Sequence, residues 1–257
     1  MTRIVWVILR KELRELRQHR ASLFALVGMP ILAAIIGVAY LAVLHGFAEE
    51  GAVPDSVARG CGGLADADCF VTWLGLMLQA VFLAFPGVIP ATAGAQALVG
   101  EKVARTLEPL LATPVTTVEL LLAKGLAACL PPIVANQFAW GLWLLGMGQI
   151  DPSIPAVLAS SAWCVAILLL GPLLSVASTL LALIVSSRVT EPRTAQQVTA
   201  LVVAPAVGLI TMGISGATTS GSAPLLWMAL AIAVVDGVLA MVAVRLFDRE
   251  AILTRWR

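Results

Sequence analysis

Regularly spaced charged residues lie within residues 101–124, which read EKVARTLEPLLATPVTTVELLLAK. Long apolar stretches flank this segment on both sides. A regularly charged segment in this position is typical of surface helices at the mouth of a membrane protein. Its residues could therefore recognise another protein. We interpret it as the part on which another protein pushes; the alternative is an ordinary polar loop. The charged residues are Glu101, Lys102, Arg105, Glu108, Glu119 and Lys124.

The local pattern of this segment predicts two short helices. Between residues 101 and 111, apolar residues recur at helical spacing with charges on the other face. Pro114 disfavours helical backbone at the preceding residue, so the first helix should end near Leu111. Thr116 and Glu119 form a T-x-x-E capping box, which predicts that a second helix starts at Thr117 and runs into the next apolar stretch.

Asp236 is the ionisable residue that lies deep in an apolar stretch. Intramembrane acids are costly and indicate a functional site. Asp236 could bind a cation, carry a proton, or pair with Asn136 or a serine; the alternative is a protonated packing residue. Asn136 and Gln137 are the accompanying polar residues of this possible intramembrane site.

Sequence motifs for catalysis and metal binding are missing. There is no G-x-x-x-x-G-K-[ST] loop to cradle ATP phosphates, no G-x-S-x-G and no H-E-x-x-H. No Cys/His set has metal-ligand spacing. The net charge of +1 leaves no basic surplus for nucleic acid. We therefore expect no enzyme activity, no metal and no cofactor in this chain.

The composition indicates a polytopic membrane protein. Of the 257 residues, 60% are hydrophobic and 12% charged, against a usual charged share of about 25%, and the mean hydropathy is +0.98. Apolar runs of about 20 residues can cross a bilayer. We predict an all-α fold with six transmembrane helices in one domain, residues 1–257. The predicted spans are residues 22–44, 70–98, 125–147, 156–185, 197–214 and 225–247.

The positions of lysine and arginine predict the orientation. With six spans, 15 of the 16 basic residues fall on one side and only Arg59 on the other, which also carries an acidic loop. Both termini and residues 101–124 should therefore be cytoplasmic. Cys61 and Cys69 lie in the acidic loop, where an oxidising compartment would allow a disulfide, or the thiols could stay unpaired.

Residues 1–21 predict a basic amphipathic helix that lies in the cytoplasmic interface, with Trp6 at headgroup depth. Its role could be anchoring to membrane lipid alone, or it could also touch a cytoplasmic partner. The residues singled out on this interfacial helix are Arg10, Lys11, Glu12 and Arg14.

Prolines interrupt several spans and free backbone carbonyls, which neighbouring groups or water must satisfy. Such breaks could let helices bend, or they could reflect only that proline is common in membrane helices. The connection Met212–Pro224 has no charge, so it could re-enter the membrane.

The segment resembles the signature of type-2 ABC transporter permeases, in which E-x-x-x-x-T-L-E-x-L-L-x-T-P-V-x-x-x-E-x-x-x-x-K joins spans two and three. Residues 9–13 are similar to the ARKEL-like start of that family, and residues 188–197 resemble family members too. Arg105 departs from the pattern, since many members have glycine there. The matching residues are Glu101, Thr106, Leu107, Glu108, Leu110, Leu111, Thr113, Pro114, Val115, Glu119 and Lys124.

The resemblance implies a permease in the cell membrane that pairs with a second permease copy, as a homodimer or heterodimer, and with two ABC ATPase subunits. The ATPase subunits would bind ATP and Mg, and the interfacial helix would form a second contact with the ATPase. Residues 101–111 would be the coupling helix, with its contact residues at Glu101, Lys102, Arg105, Thr106, Leu107, Glu108 and Leu111. Export is the implied direction, with the substrate open.

Two other functions stay open at this point. One is a permease-like subunit that extracts or assembles an envelope component together with an ATPase. The other is an ion-coupled secondary transporter that uses Asp236, although no inverted repeat is visible.

Overall fold

The computed structural model describes residues 2–18, 20–50, 66–103, 116–189, 192–220 and 222–246. All described elements are helices, and no strand occurs among these residues, which confirms the all-α prediction. Two short π-helical turns complete the described elements. The α-helices are α1 (Thr2–Gln18), α2 (Arg20–Leu23), α3 (Met29–Glu50), α4 (Asp66–Gln79), α5 (Val81–Val103), α6 (Thr117–Ile150), α7 (Ile154–Leu158), α8 (Ser161–Val165), α9 (Gly171–Arg188), α10 (Pro192–Ser220) and α11 (Ala223–Leu246).

Six helical stretches are long and apolar enough to cross a membrane, which confirms the predicted number. We call them spans one to six. Their bounds are Phe24–Ala48, Ala67–Ala95, Val118–Ile150, Ser161–Arg188, Arg193–Met212 and Ala223–Leu246.

Besides small shifts of the span ends, the structure departs from the predicted organisation at three places. Ser160 leaves the helical conformation, with a ψ of 156°. Ile154–Leu158 therefore forms a separate short helix, and span four begins at Ser161. Most of the connection predicted at Met212–Pro224 is helical, since α10 continues to Ser220. Glu101, which was predicted to start a separate helix, continues α5, which ends at Val103.

The core lies between spans two, three and four. Phe82 of span two meets Trp143 of span three, with ring centroids 5.9 Å apart, and Ile167 and Leu170 of span four are fully buried in the same cluster. Gly94 lets spans two and four approach closely, because an added Cβ would lie 3.3 Å from a backbone oxygen. About half of each central span is buried, 50% for span two and 56% for spans three and four.

Two π-helical turns precede prolines in the same way. Phe24–Gly28 is followed by Met29 and Pro30, and Ala166–Leu170 is followed by Gly171 and Pro172. In each turn, the backbone N–H of the residue before proline bonds to the carbonyl five residues earlier. Such wide turns are rare and occur mostly as single insertions within α-helices.

Polar contacts lie at the bundle end opposite α1, and one of them joins spans one and two. His45 Nε2 lies 2.8 Å from Asp68 Oδ1, with both side chains less than one-fifth exposed. Asp151 accepts from the hydroxyl and amide of Ser153, and these bonds lower the pKa of Asp151. Cys69, at the same end, is disulfide-bonded; its predicted partner, Cys61, lies outside the described residues.

Candidate functional site

Helix α1 packs against the bundle next to the start of α6. Its inward face carries Leu9, which is 7% exposed, and Leu16, which packs in a cluster with Leu26 and Ala128. Trp6 on the outer face is 61% exposed. A helix of this amphipathic pattern needs a neighbour for its apolar face, and the bundle provides it.

An ion pair joins α1 to α6. Glu12 Oε1 accepts from Lys124 Nζ at 3.0 Å, and the side chains are 13% and 1% exposed. Sequence reasoning had placed Glu12 and Lys124 in separate segments. A signal was present, because Glu12 follows Leu9 by three residues and so shares the inward face. Buried ion pairs need close geometry to offset the loss of hydration, so this contact fixes where α1 sits on α6.

The predicted capping box at the start of α6 is confirmed. Glu119 N donates to Thr116 Oγ1 at 3.3 Å, and Thr116 N donates to Glu119 Oε2 at 3.0 Å. Two backbone donors at the helix start are thereby satisfied. The box and the ion pair lie two turns apart on α6, and we call Glu12, Lys124, Thr116 and Glu119 the α1–α6 junction.

The junction adjoins the predicted coupling segment. Glu101 and Lys102 lie in the last turn of α5, which ends at Val103. Residues 104–115, between α5 and Thr116, lie outside the described residues. The predicted contact residues in that range are Arg105, Thr106, Leu107, Glu108 and Leu111. On α1, Lys11 pairs with Glu15 at 3.3 Å on the exposed surface.

Asn136 satisfies a carbonyl that a proline frees. Pro86 has no N–H, so the carbonyl of Phe82, four residues earlier in the helix, lacks its usual donor. Asn136 Nδ2 of span three donates to that carbonyl at 3.0 Å, and Asn136 is 1% exposed. The predicted polar residue therefore completes the backbone of a neighbouring helix.

The same arrangement recurs at two other prolines. Ser178 Oγ donates to the carbonyl of Pro86 at 3.3 Å, which Pro90 leaves without a donor. Gln137 Nε2 donates to the carbonyl of Ile167 at 2.9 Å. In the π-helical turn this carbonyl would accept from the backbone N–H of residue 172, which proline lacks. Sequence reasoning missed Ser178, because the partner of a freed carbonyl comes from another helix.

Asp236 stands apart from these contacts. It is 8% exposed, and neither carboxylate oxygen has a hydrogen-bond partner among the described residues. In the structure, Asp236 forms no hydrogen bond with Asn136 or Gln137. Within the described part of the chain, no three His, Cys, Asp or Glu side chains are arranged to hold a metal ion.

The outer helices expose much of their apolar surface. Only 22% of spans one and five and 17% of span six are buried. On span five, Leu201 is 77% and Leu209 63% exposed, and an added Cβ at Gly208 would meet no atom within 4 Å. These faces are available to lipid or to a second chain.

Comparison with known proteins identifies a family for this chain. A family model described as "ABC-2 family transporter protein" matches residues 6–247. No curated protein matches the sequence.

Proposed function

Because the chain belongs to the ABC-2 family of transporter proteins, we propose that it is the permease subunit of an ATP-binding-cassette transporter. It forms the translocation path, and separate ATPase subunits drive it. The family match across almost the whole chain carries this proposal. ATP and Mg are assigned to the ATPase subunits, since the chain has no G-x-x-x-x-G-K-[ST] loop. The proposed location is the cell membrane with both termini cytoplasmic, and the proposed direction is export.

The α1–α6 junction supports the way in which such a subunit would be driven. A force applied at residues 101–111 passes along the chain to Thr116, the capped start of α6. Lys124 then carries the displacement to α1 through its ion pair with Glu12. A buried pair with fixed geometry makes α1 and α6 move together, so the ATPase acts on one rigid body. The proline breaks in the spans provide places where helices can bend.

This proposal is tested by reversing a charge in the coupling segment and measuring whether the ATPase still co-purifies with the chain. Tagged protein is purified from native membranes in mild detergent, and co-purifying ATP hydrolysis is measured. We expect Glu108→Arg to remove most of the ATPase activity, because it reverses a charge in the proposed contact segment. Asp151→Arg makes the same charge change at the opposite end and should retain it.

Transport activity separates this function from the ion-coupled alternative. If Asp236→Asn abolishes transport while Glu108→Arg leaves both transport and the bound ATPase unchanged, the chain is not an ATP-driven permease. An equal gel-filtration profile for the three variants shows that each has folded.

We also propose that two copies pack along span five. Leu201 and Leu209 are exposed there, and Ala204 and Gly208 are four residues apart, a spacing of small residues that lets membrane helices approach closely. The occupant of this face is a second copy of the chain, as the permease pairing requires.

Cysteine crosslinking in membranes tests the pairing. Leu209→Cys should form a disulfide-linked dimer in a background without Cys129 and Cys164. Leu145→Cys on span three is the matched control, because Leu145 is 69% exposed against 63% for Leu209. Equal crosslinking at both positions would indicate random collision and contradict the proposed face.

A further inference from the structure

A cavity of about 530 Å³ opens beside α1, within the size range of small-molecule sites. Arg10, Arg14 and Arg17 line one side of it. Their spacing of four and three residues places all three guanidinium groups on one helix face. The cavity is separate from the α1–α6 junction, whose ion pair lies on the inward face of α1.

The three arginines have no carboxylate partner in the described part of the chain. The two acids of α1 are already engaged, since Glu12 pairs with Lys124 and Glu15 with Lys11. The cavity therefore has a cationic side that no acid of the described chain neutralises. Arginine groups in this arrangement are suited to the oxygens of a phosphate.

The opposite wall of the cavity is apolar and belongs to the membrane spans. It includes Leu26 of span one and Pro131 of span three. Pro131 lies seven residues beyond Lys124, or about 10 Å further along the helix axis. Leu23, which also lines the cavity, is 38% exposed. The cavity thus leads from the charged helix surface into the apolar depth of the bundle.

We propose that this cavity binds an anionic phospholipid of the membrane leaflet at the α1 end. The phosphate meets Arg10, Arg14 and Arg17, and the upper part of an acyl chain lies against Leu26 and Pro131. A soluble phosphate compound would use the cationic side but not the apolar wall. A cytoplasmic protein surface would not reach the wall at membrane depth. A diacyl phospholipid matches both sides.

Lipid retention by the purified chain tests this site without any ATPase, so the result is independent of the proposed function. The delipidated protein is incubated with dioleoyl phosphatidylglycerol or dioleoyl phosphatidylcholine, and bound lipid is counted by native mass spectrometry. A basic side chain near the surface contributes about a fivefold preference for anionic lipid. We therefore expect Arg14→Gln/Arg17→Gln to weaken phosphatidylglycerol binding about 25-fold and to leave phosphatidylcholine binding unchanged.

A matched variant and a soluble headgroup complete the test. Arg3→Gln/Arg20→Gln removes the same charge from outside the cavity and should change phosphatidylglycerol binding by less than about twofold. Glycerophosphoglycerol, which lacks acyl chains, should not displace the lipid. An equal loss in the control variant would show diffuse attraction, and displacement by the soluble headgroup would show a phosphate site without lipid. Unchanged phosphatidylglycerol binding in Arg14→Gln/Arg17→Gln would show that the arginines do not recognise the lipid. Each of these three results overturns the proposal.

Discussion

The contact between Asn136 and the Phe82 carbonyl can be measured by a double-mutant cycle with Pro86. Replacing Asn136 by leucine removes the amide that donates to this carbonyl. Replacing Pro86 by alanine provides a backbone N–H at residue 86, which restores the ordinary helical bond to the same carbonyl. Asn136→Leu should therefore cost less in the Pro86→Ala background than in the wild type.

The expected coupling follows from burial and distance. Asn136 and Phe82 are 1% and 2% exposed, so water cannot replace the 3.0 Å bond. Hydrogen bonds between membrane helices contribute on average about 0.6 kcal/mol and at most about 1.7 kcal/mol. For a buried bond we expect a coupling of about 1 kcal/mol, or about fivefold in the unfolding constant. Asn136 Oδ1 has no partner among the described residues, and its removal affects both backgrounds equally and cancels.

The assay is equilibrium unfolding of the micellar protein by sodium dodecyl sulfate, followed by tryptophan fluorescence. Trp140 and Trp143 are suitable reporters, since they are 6% and 1% exposed. Gln79→Leu is the matched control, because Gln79 donates to the carbonyl of Leu158, which Pro86 does not affect. Its cost should be the same in both backgrounds. If Asn136→Leu and Pro86→Ala are additive within about 0.5 kcal/mol, the assignment of Asn136 to a proline-freed carbonyl is wrong.

Three further predictions concern the helix contacts and use the same unfolding assay unless stated. Glu12→Lys places like charges together and should destabilise the fold by about 3 kcal/mol, while adding Lys124→Glu should restore most of the loss; no restoration would show that the pair does not matter. Gly94→Ala forces spans two and four apart and should cost about 1–3 kcal/mol, whereas Gly141→Ala, where an added Cβ meets no atom within 4 Å, should be neutral or stabilising; equal costs would contradict the close approach. Thr116→Ala should cost about 1 kcal/mol and speed hydrogen exchange in the first turn of α6, while Thr116→Ser should not; unchanged exchange in the alanine variant would contradict the cap.

The number of spans and the start of α6 could be predicted because both depend on local sequence. Hydropathy over about 20 residues identifies a span whatever its neighbours are. The capping box joins Thr116 to Glu119, three residues apart, so its geometry needs no tertiary information. The separate helix Ile154–Leu158 was missed, because its residues are as apolar as the span that follows.

The contacts of the candidate site depend on tertiary structure and could not be predicted in this way. Glu12 and Lys124 are 112 residues apart, and nothing in either segment specifies the other. Asn136 was recognised as an unusual polar residue, but its role depends on which proline faces it. The sequence contains both the freed carbonyls and the side chains that satisfy them, and only the packing assigns one to the other.

The π-helical turns at Phe24–Gly28 and Ala166–Leu170 change the phase of two spans. A turn closed over five residues holds one residue more than an α-helical turn, so the residues beyond it are rotated by about 100° around the helix axis. An ideal helical wheel drawn through span one or span four will therefore assign the wrong face to every position after the turn. Cysteine-accessibility scans of these spans should show a one-residue jump in periodicity at Gly28 and Leu170.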